Sequence, residues 1–308
     1  MKLTLRQLQV FAEVARHDSV SRAAESLALS QSATSTALAE LERQFDCQLF
    51  DRLGKRLALN ALGRQLLPRA VGLLDQTREI EQLLSGGHGF GSLQVGATLT
   101  VGNYLATLLI GHFMQRHPEC KVGLQVHNTA HVVQQVANYE LDLGLIEGDC
   151  QHADLEVQPW VADELVAFAA PQHPLAGRRE VSLEELSREA WILRERGSGT
   201  RLAFDQAMRH HPAPLNIRLE LEHTEAIKRA VESGLGIGCI SRLALRDAFR
   251  RGSLVPLETP QLDLSRQFWF IWHKQKYQTA AMREFLELCS SFTAGVTRSD
   301  QINLPSIA

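Results

Sequence analysis

Ser19-Val-Ser-Arg-Ala-Ala-Glu-Ser-Leu-Ala-Leu-Ser-Gln-Ser-Ala-Thr-Ser-Thr36 reads as two short helices separated by a tight turn. Ser19 caps the first, and Val20, Ala23, Ala24 and Leu27 give it an inner face of mostly small residues. Glu25 is too distant from Ser19 to complete a capping box. The turn is Leu27-Ala-Leu-Ser30, and Ser30 caps a helix from Gln31 to about Phe45. Ala33, Ala37, Leu38, Leu41 and Phe45 are expected to face inward. Gln31, Ser32, Ser35 and Thr36 are then exposed, short polar groups able to reach base edges and phosphates. A helix-turn-helix that reads DNA needs this arrangement.

The flanks support it. Upstream, Thr4 caps a helix with the apolar face Leu5, Leu8, Val10, Phe11, Val14 and Ala15. Downstream, Arg52-Leu-Gly-Lys-Arg-Leu-Ala-Leu-Asn60 reads as two extended runs about Gly54, a hairpin with basic residues at its tip. Arg6, Arg22, Arg52, Lys55 and Arg56 are candidate phosphate contacts. A Ser/Thr opening by itself is an ordinary helix cap, and a run of charge is usually a solvated face. The combination with the Ala23–Ala24 pair and the basic hairpin points to DNA. A formal net charge of -3 gives no overall basic signal, so the DNA surface must be local.

From Leu62 to about Leu84 a long helix carries the stripe Leu62, Leu66, Ala70, Leu73, Leu74, Thr77, Ile80 and Leu84, which suggests pairing with a second subunit. Ser85-Gly-Gly-His-Gly-Phe-Gly-Ser92 is a glycine-rich hinge. Beyond it, strand-like runs alternate with helices. The strand-like runs lie near 92–96, 122–127, 141–147, 165–170, 190–193, 217–221, 236–241, 254–256 and 268–273. Such alternation predicts a mainly parallel α/β sheet with covered faces, long enough for two lobes. The expected domains are 1–60 (DNA-binding), 61–85 (linker and dimerisation helix), 86–92 (hinge) and 93–308 (effector-binding). Within the last, one lobe spans about 93–161 and 267–292 and the other about 162–266.

Five cysteines, odd in number and without a C-x-x-C pair, argue against disulfides or a zinc site and for buried thiols in a reducing cytoplasm. The N-terminus lacks a charged leader before a long apolar run, and no apolar stretch is long enough to span a bilayer, so the expected location is cytoplasmic. His112, His117, His127, His131 and the His210–His211 pair lack metal-ligand spacing, and no metal or cofactor is expected. There is no G-x-S-x-G or P-loop, and Gly234-Leu-Gly-Ile-Gly238 follows a helix where a nucleotide loop would follow a strand. The reading is therefore not an enzyme. The alternative is a solute-binding or enzymatic α/β protein with a helical N-terminal interaction domain.

Leu5-Arg-Gln-Leu-Gln-Val-Phe, Ser19-Val-Ser-Arg-Ala-Ala-Glu-Ser-Leu, Ser30-Gln-Ser-Ala-Thr-Ser, Leu41-Glu, Leu49-Phe-Asp-Arg and Leu62-Gly together resemble the signature of LysR-type transcriptional regulators. The resemblance implies an N-terminal winged helix-turn-helix, with recognition helix Gln31–Phe45 and wing Arg52–Asn60. It implies a coiled-coil dimer through Leu62–Leu84, homotetramers on promoter DNA, and a two-lobed effector domain like a periplasmic binding protein. RNA polymerase is the expected further partner. Many members carry Arg where this chain has Thr36, which leaves Gln31 and Ser35 as the leading base contacts.

In such two-lobed domains a ligand sits between the lobes, at strand C-terminal ends and helix N-termini. Two junctions qualify. Gly96-Ala-Thr-Leu-Thr-Val-Gly-Asn-Tyr104 offers Thr98, Thr100 and Asn103. Arg194-Glu-Arg-Gly-Ser-Gly-Thr-Arg201 offers Arg194, Ser198 and Thr200 on a backbone freed by Gly197 and Gly199. Asn128, Thr129, Glu147, Thr224 and Glu225 follow from position, although Glu225 is equally an acid placed for the helix dipole. The segments Thr98–Leu105 and His223–Gly238 look similar to regulators of carbon fixation and sulphur assimilation. That similarity implies a small anion: a sulphur oxyanion, phosphorylated metabolite or carboxylate.

Overall fold

The computed structural model describes residues 2–53, 56–86, 90–209 and 215–303. The chain opens with α1 (Leu5–His17), α2 (Val20–Ser26) and α3 (Gln31–Gln44), each started by the expected hydroxyl. Thr4 accepts from the Gln7 amide while Gln7 Oε1 accepts from the Thr4 amide, a complete capping box. Ser19 caps α2 and Ser30 caps α3. Leu8, Val10, Phe11, Val14, Ala23, Leu38 and Leu41 close the small core between them.

The inward face of α3 differs from the expected one. Ala33 is exposed and Phe45 is 51 % exposed, whereas Thr34 is fully buried. The buried positions are Thr34, Leu38 and Leu41, spaced four and three apart. Thr34 is tolerated there because its hydroxyl donates to the Ser30 carbonyl, 3.1 Å away.

The wing is a two-stranded antiparallel hairpin, β1 (Phe50–Leu53) and β2 (Arg56–Leu59), with Phe50 opposite Leu59. Its tip, including the candidate Lys55, lies outside the described residues. Asn60 caps α4 (Ala61–Leu84) by accepting from the Gly63 amide. One side of α4 buries Leu67, Ala70 and Val71, while Leu62, Leu73, Ile80, Leu83 and Leu84 remain exposed. Part of the glycine-rich hinge, 87–89, is outside the described residues.

The remainder is one nine-stranded sheet with helices on both faces. In chain order it comprises β3 (Ser92–Thr98), α5 (Leu99–Val101), a π-helical turn (Gly102–Ala106), α6 (Thr107–Arg116), β4 (Lys121–His127), α7 (Thr129–Ala137), β5 (Leu143–Glu147) and β6 (Leu155–Ala169). There follow α8 (Leu183–Arg188), β7 (Ala190–Arg194), α9 (Gly199–Met208), β8 (Asn216–Leu221), α10 (Thr224–Glu232), β9 (Ile237–Ser241) and α11 (Arg242–Arg251). The chain closes with β10 (Val255–Pro256), β11 (Ser265–His273), α12 (Ala280–Thr293) and a 3-10 turn (Ser299–Gln301).

The strand order is β4-β3-β5-β11-β6-β9-β7-β8, with β10 beside β6. The sheet is mixed rather than mainly parallel. β3 pairs in parallel with β4 and β5, and β7 with β8 and β9, but β6 and β11 run antiparallel to their neighbours. These two strands are the crossovers between the halves. β6 begins ten residues before the expected run at 165, pairing with β11 through Glu164 and with β9 from Leu165 onward. Each half has apolar cores on both faces. Phe113, Phe268 and Phe285 anchor one face of the first half and Val132, Ile146 and Ile271 the other. Trp191 and Phe204, then Phe168 and Leu245, do the same in the second. Full burial of each such side chain stabilises by about 1.5–3 kcal/mol.

Candidate nucleic-acid interface and effector cleft

On the N-terminal unit, Gln31, Ser32, Ser35 and Thr36 are all exposed along the first turns of α3. Ser32 shares a 3.0 Å hydroxyl contact with Ser30, the capping residue. Arg6, Arg22 and Arg52 are exposed, with Arg6 donating to its neighbour Gln9 at 2.8 Å. Arg56 enters by its place in β2. The opening of α3 is thus a polar ridge with arginines around it.

The second candidate site lies where the two halves of the sheet meet. The strand ends Thr98 (β3), Glu147 (β5) and Arg194 (β7) and the helix starts Thr129 (α7), Thr200 (α9) and Thr224 (α10) collect there, all buried. Burial of this many polar groups demands partners. Thr129 Oγ1 donates to the Glu147 carbonyl and accepts from the Gly199 amide, both at 3.0 Å. The Ala130 amide donates to the Gly197 carbonyl. A Cβ at Gly199 would fall on the Glu147 carbonyl oxygen, so only glycine lets the two backbones approach. The loop before α9 is therefore docked onto the other lobe.

An ionic network lies behind that loop. Thr200 Oγ1 donates to Glu147 Oε1 at 3.0 Å. Arg266 donates from Nη2 to Glu147 Oε2 (3.0 Å), from Nη1 to Thr200 Oγ1 (2.9 Å) and from Nε to Asp163 Oδ2 (2.6 Å). Burial opposes charge on Arg266, but Glu147 and Asp163 outweigh it and raise the guanidinium pKa further. Asp163 also accepts from Ser241 and Ser299. Arg266 stands opposite Asp163 in the β6–β11 ladder, so this pair ties the two crossover strands together at the hinge.

Three atoms in this region are left over. Arg194 gives Nε and Nη2 to the Glu195 carboxylate (2.8 and 3.0 Å), while its Nη1, 3.9 Å from Glu147, makes no hydrogen bond among the described residues. The hydroxyls of Thr98 and Thr224 are buried and also without a hydrogen-bond partner among the described residues. The mouth of the cleft, about 460 Å³, is lined by Asn103, His127, Asn128, Glu195 and His223. Burial followed by the neighbouring His131 pushes His127 below the usual histidine range.

The sequence-derived residues thus divide into groups. Thr129, Glu147, Arg194, Ser198 and Thr200 meet between the lobes, although Ser198 is committed to capping Thr200 and Thr200 to Glu147. Thr98 and Thr224 are buried next in sequence to Leu99 and His223, which line the mouth together with Asn103 and Asn128. Thr100 is buried within α5. Glu225 lies elsewhere: its side chain is 61 % exposed and pairs with Lys228 (2.6 Å) and Tyr104 (2.5 Å). Burial works against it, yet those two hydrogen bonds hold its carboxyl below the usual range. Sequence reasoning missed Arg266 and Asp163. The available signal was a charged residue, Asp163 or Arg266, at each point where the chain crosses between lobes.

The chain matches two family models. Residues 5–64 fit the bacterial regulatory helix-turn-helix protein of the lysR family, and residues 86–293 fit the LysR substrate binding domain. It is 46% identical to the HTH-type transcriptional regulator YeiE of Escherichia coli K12 over 94% of this chain and 98% of that one. It is 35% identical to the RuBisCO operon transcriptional regulator of Allochromatium vinosum over 96% and 98% respectively. Among solved structures it resembles the Synechocystis PCC6803 CcmR regulatory domain in complex with 2-PG. That likeness has a TM-score of 0.63 and 31% identity, over 68% of this chain and 99% of that one.

Proposed function

From the premise that this chain belongs to the LysR family, and so is a DNA-binding transcriptional regulator with an effector-binding domain, we propose that its effector is a small anion held between the lobes by Thr98, Arg194 and Thr224. The observation that carries this is the set of buried, unpartnered donors on those residues. An unpaired buried polar group costs about 1–3 kcal/mol, so such donors, each next in sequence to a residue lining the cleft mouth, favour a ligand that accepts hydrogen bonds. The start of α10 adds amides and a favourable dipole for negative charge. The leftover atoms are fully enclosed, which favours an oxyanion or short carboxylate over a bulky ligand. The CcmR complex with 2-PG shows a related domain holding a small ligand.

Gln31 and Ser35 read base edges from the start of α3, with Ser32 and Thr36 beside them. Arg6, Arg22, Arg52, Lys55 and Arg56 neutralise phosphates. Anion binding favours one lobe arrangement, which alters the spacing of paired winged helices on promoter DNA in a tetramer and the contact with RNA polymerase. Isothermal titration with sulfite, sulfate, phosphate and short carboxylates tests the cleft. At least one is expected to bind the wild type, and Arg194→Ala is expected to weaken it by about 10–100-fold. Equal binding by Arg194→Ala and Thr98→Val would remove the proposed site. Gel shifts with Gln31→Ala and Ser35→Ala test the reading helix; full DNA affinity in both would refute it.

A further inference from the structure

Among the described residues the effector domain meets the N-terminal unit at two corners built as sockets. Lys276, with its side chain 3 % exposed, extends its ammonium to Asp75 of α4 and to Asp142 just before β5, each at 2.6 Å. Asp142 is fixed in turn by the Gln94 amide (2.7 Å) and Asp75 by Arg78 (2.9 Å). Next along α4, Glu79 accepts from the Tyr277 hydroxyl (2.9 Å) and from the amide of Ala280 at the start of α12 (2.6 Å). At the second corner Tyr139 is buried in the core of the N-terminal unit. Its carbonyl accepts from Arg16 of α1 at 3.2 Å. Its ring packs tilted against that of His273, centroids 4.3 Å apart, and its hydroxyl lies 2.7 Å from Nδ1 of that histidine. Tyr139 has φ 59, a left-handed conformation that a bulky side chain keeps only when its surroundings impose it.

Three elements arrive at these corners: α7 ends at Ala137 just before Tyr139, β5 begins at Leu143 just after Asp142, and β11 ends at His273. The opposite end of each lies in the interlobe network. α7 begins with Thr129, which holds the Gly199 amide; β5 ends on Glu147; β11 carries Arg266 near its start. α7, β5 and β11 therefore each run from the docking face to the cleft, whereas α12, whose Ala280 amide meets Glu79, belongs to the docking face. Strands and a short helix are stiff over this distance, so a change in lobe closure displaces the corners. A buried charge cluster does not yield gradually: it is engaged or it is separated.

We propose that the face made by Tyr139, Asp142, Lys276 and Tyr277 is the transmission surface of this protein, engaging its own linker helix at Asp75 and Glu79 in a manner set by lobe closure. The inference rests on reading the interlobe cleft as the effector site. Its test needs no effector and so is independent of the identity of the anion.

Hydrogen exchange on the full chain is compared between the wild type and two cleft variants, Glu147→Gln and Thr129→Val. It is also compared with two docking variants, Asp75→Asn and Tyr277→Phe. Coupling between two sites is reciprocal and is commonly worth fivefold or more, so about that change is expected in each direction. The cleft variants should raise exchange of α4 amides in 72–80, and the docking variants should raise exchange in the loop 195–199. If the loop loosens in the cleft variants while 72–80 stays at its wild-type rate, the proposal is overturned. It is equally overturned if α4 loosens in the docking variants and the loop does not respond. Tyr277→Phe removes a single hydroxyl and keeps the test valid should Asp75→Asn fail to fold. Failure of every anion to bind would count against the effector reading alone.

Discussion

Thr98 is fully buried, and its hydroxyl has no hydrogen-bond partner among the described residues. Stability and ligand binding should separate at this residue. Thr98→Val exchanges an unpaired hydroxyl for a methyl group of similar size, removing a penalty of about 1–3 kcal/mol. The ligand-free protein is expected to melt about 2–6 °C higher, while anion affinity falls by roughly tenfold. Differential scanning calorimetry beside titration reads both, and a lower melting temperature would mean that the hydroxyl has a structural partner. The cysteines yield a second prediction at this scale. Burial pushes the Cys120 thiol up to about 11 and Cys239 up to about 12, and it raises Cys47, Cys150 and Cys289 as well. Thiols held in the protonated form are poor nucleophiles, so dilute hydrogen peroxide should leave DNA affinity in a gel shift unchanged. Caps and strand-end threonines were legible in the sequence because their roles are local. Arg266 was not, because its partners Asp163, Thr200 and Glu147 lie 66 to 119 residues away or directly across a ladder.

The turn between α2 and α3 places Ala28 at φ 52, and the wing packs Gly63 of α4 against the Leu49 carbonyl. Opposite effects follow from exchanging one methyl group. Ala28→Gly relieves a left-handed conformation that costs an L-residue about 1–2 kcal/mol and recovers part of it after glycine's greater chain entropy is counted. Gly63→Ala drives a Cβ into a backbone oxygen that cannot move without breaking the wing, costing about 1–3 kcal/mol. Thermal melts should rank Ala28→Gly at or above wild type and Gly63→Ala below it, with DNA binding lost first in the latter. Elements with strong end signals were found from sequence to within a residue or two. The first half of β6 was not, for a physical reason: Pro159 interrupts it. The structure accommodates that proline where the β6–β11 register shifts, between Phe268 and Trp269. The helical phase of α3 was also misjudged, because Thr34 is buried only through its bond to Ser30, which apolar periodicity does not register.

On the scale of the whole molecule, the order of the parts could be read from sequence, but the seating of the N-terminal unit on the effector domain could not. Asp75 and Lys276 are 201 residues apart. The two sides of α4 have different duties. Asp75 and Glu79 face the effector domain, whereas Leu62, Leu73, Ile80 and Leu84 are exposed on the opposite side at 43 to 84 %. Leu62, Leu73 and Ile80 are 11 and 7 residues apart, whole numbers of turns, so they form one stripe along the helix. Burying such side chains against a second α4 would contribute up to about 1.5–3 kcal/mol each toward a dimer. Leu73→Glu combined with Ile80→Glu should therefore yield monomers in sedimentation while the circular dichroism of the chain stays unchanged. DNA affinity should fall more than the DNA face alone explains, because two linked winged helices bind paired half-sites with an effective concentration that a monomer lacks. With a net charge of -3 there is no general attraction to replace that gain. Dimers persisting in the double variant would assign the stripe another purpose and move the pairing surface elsewhere.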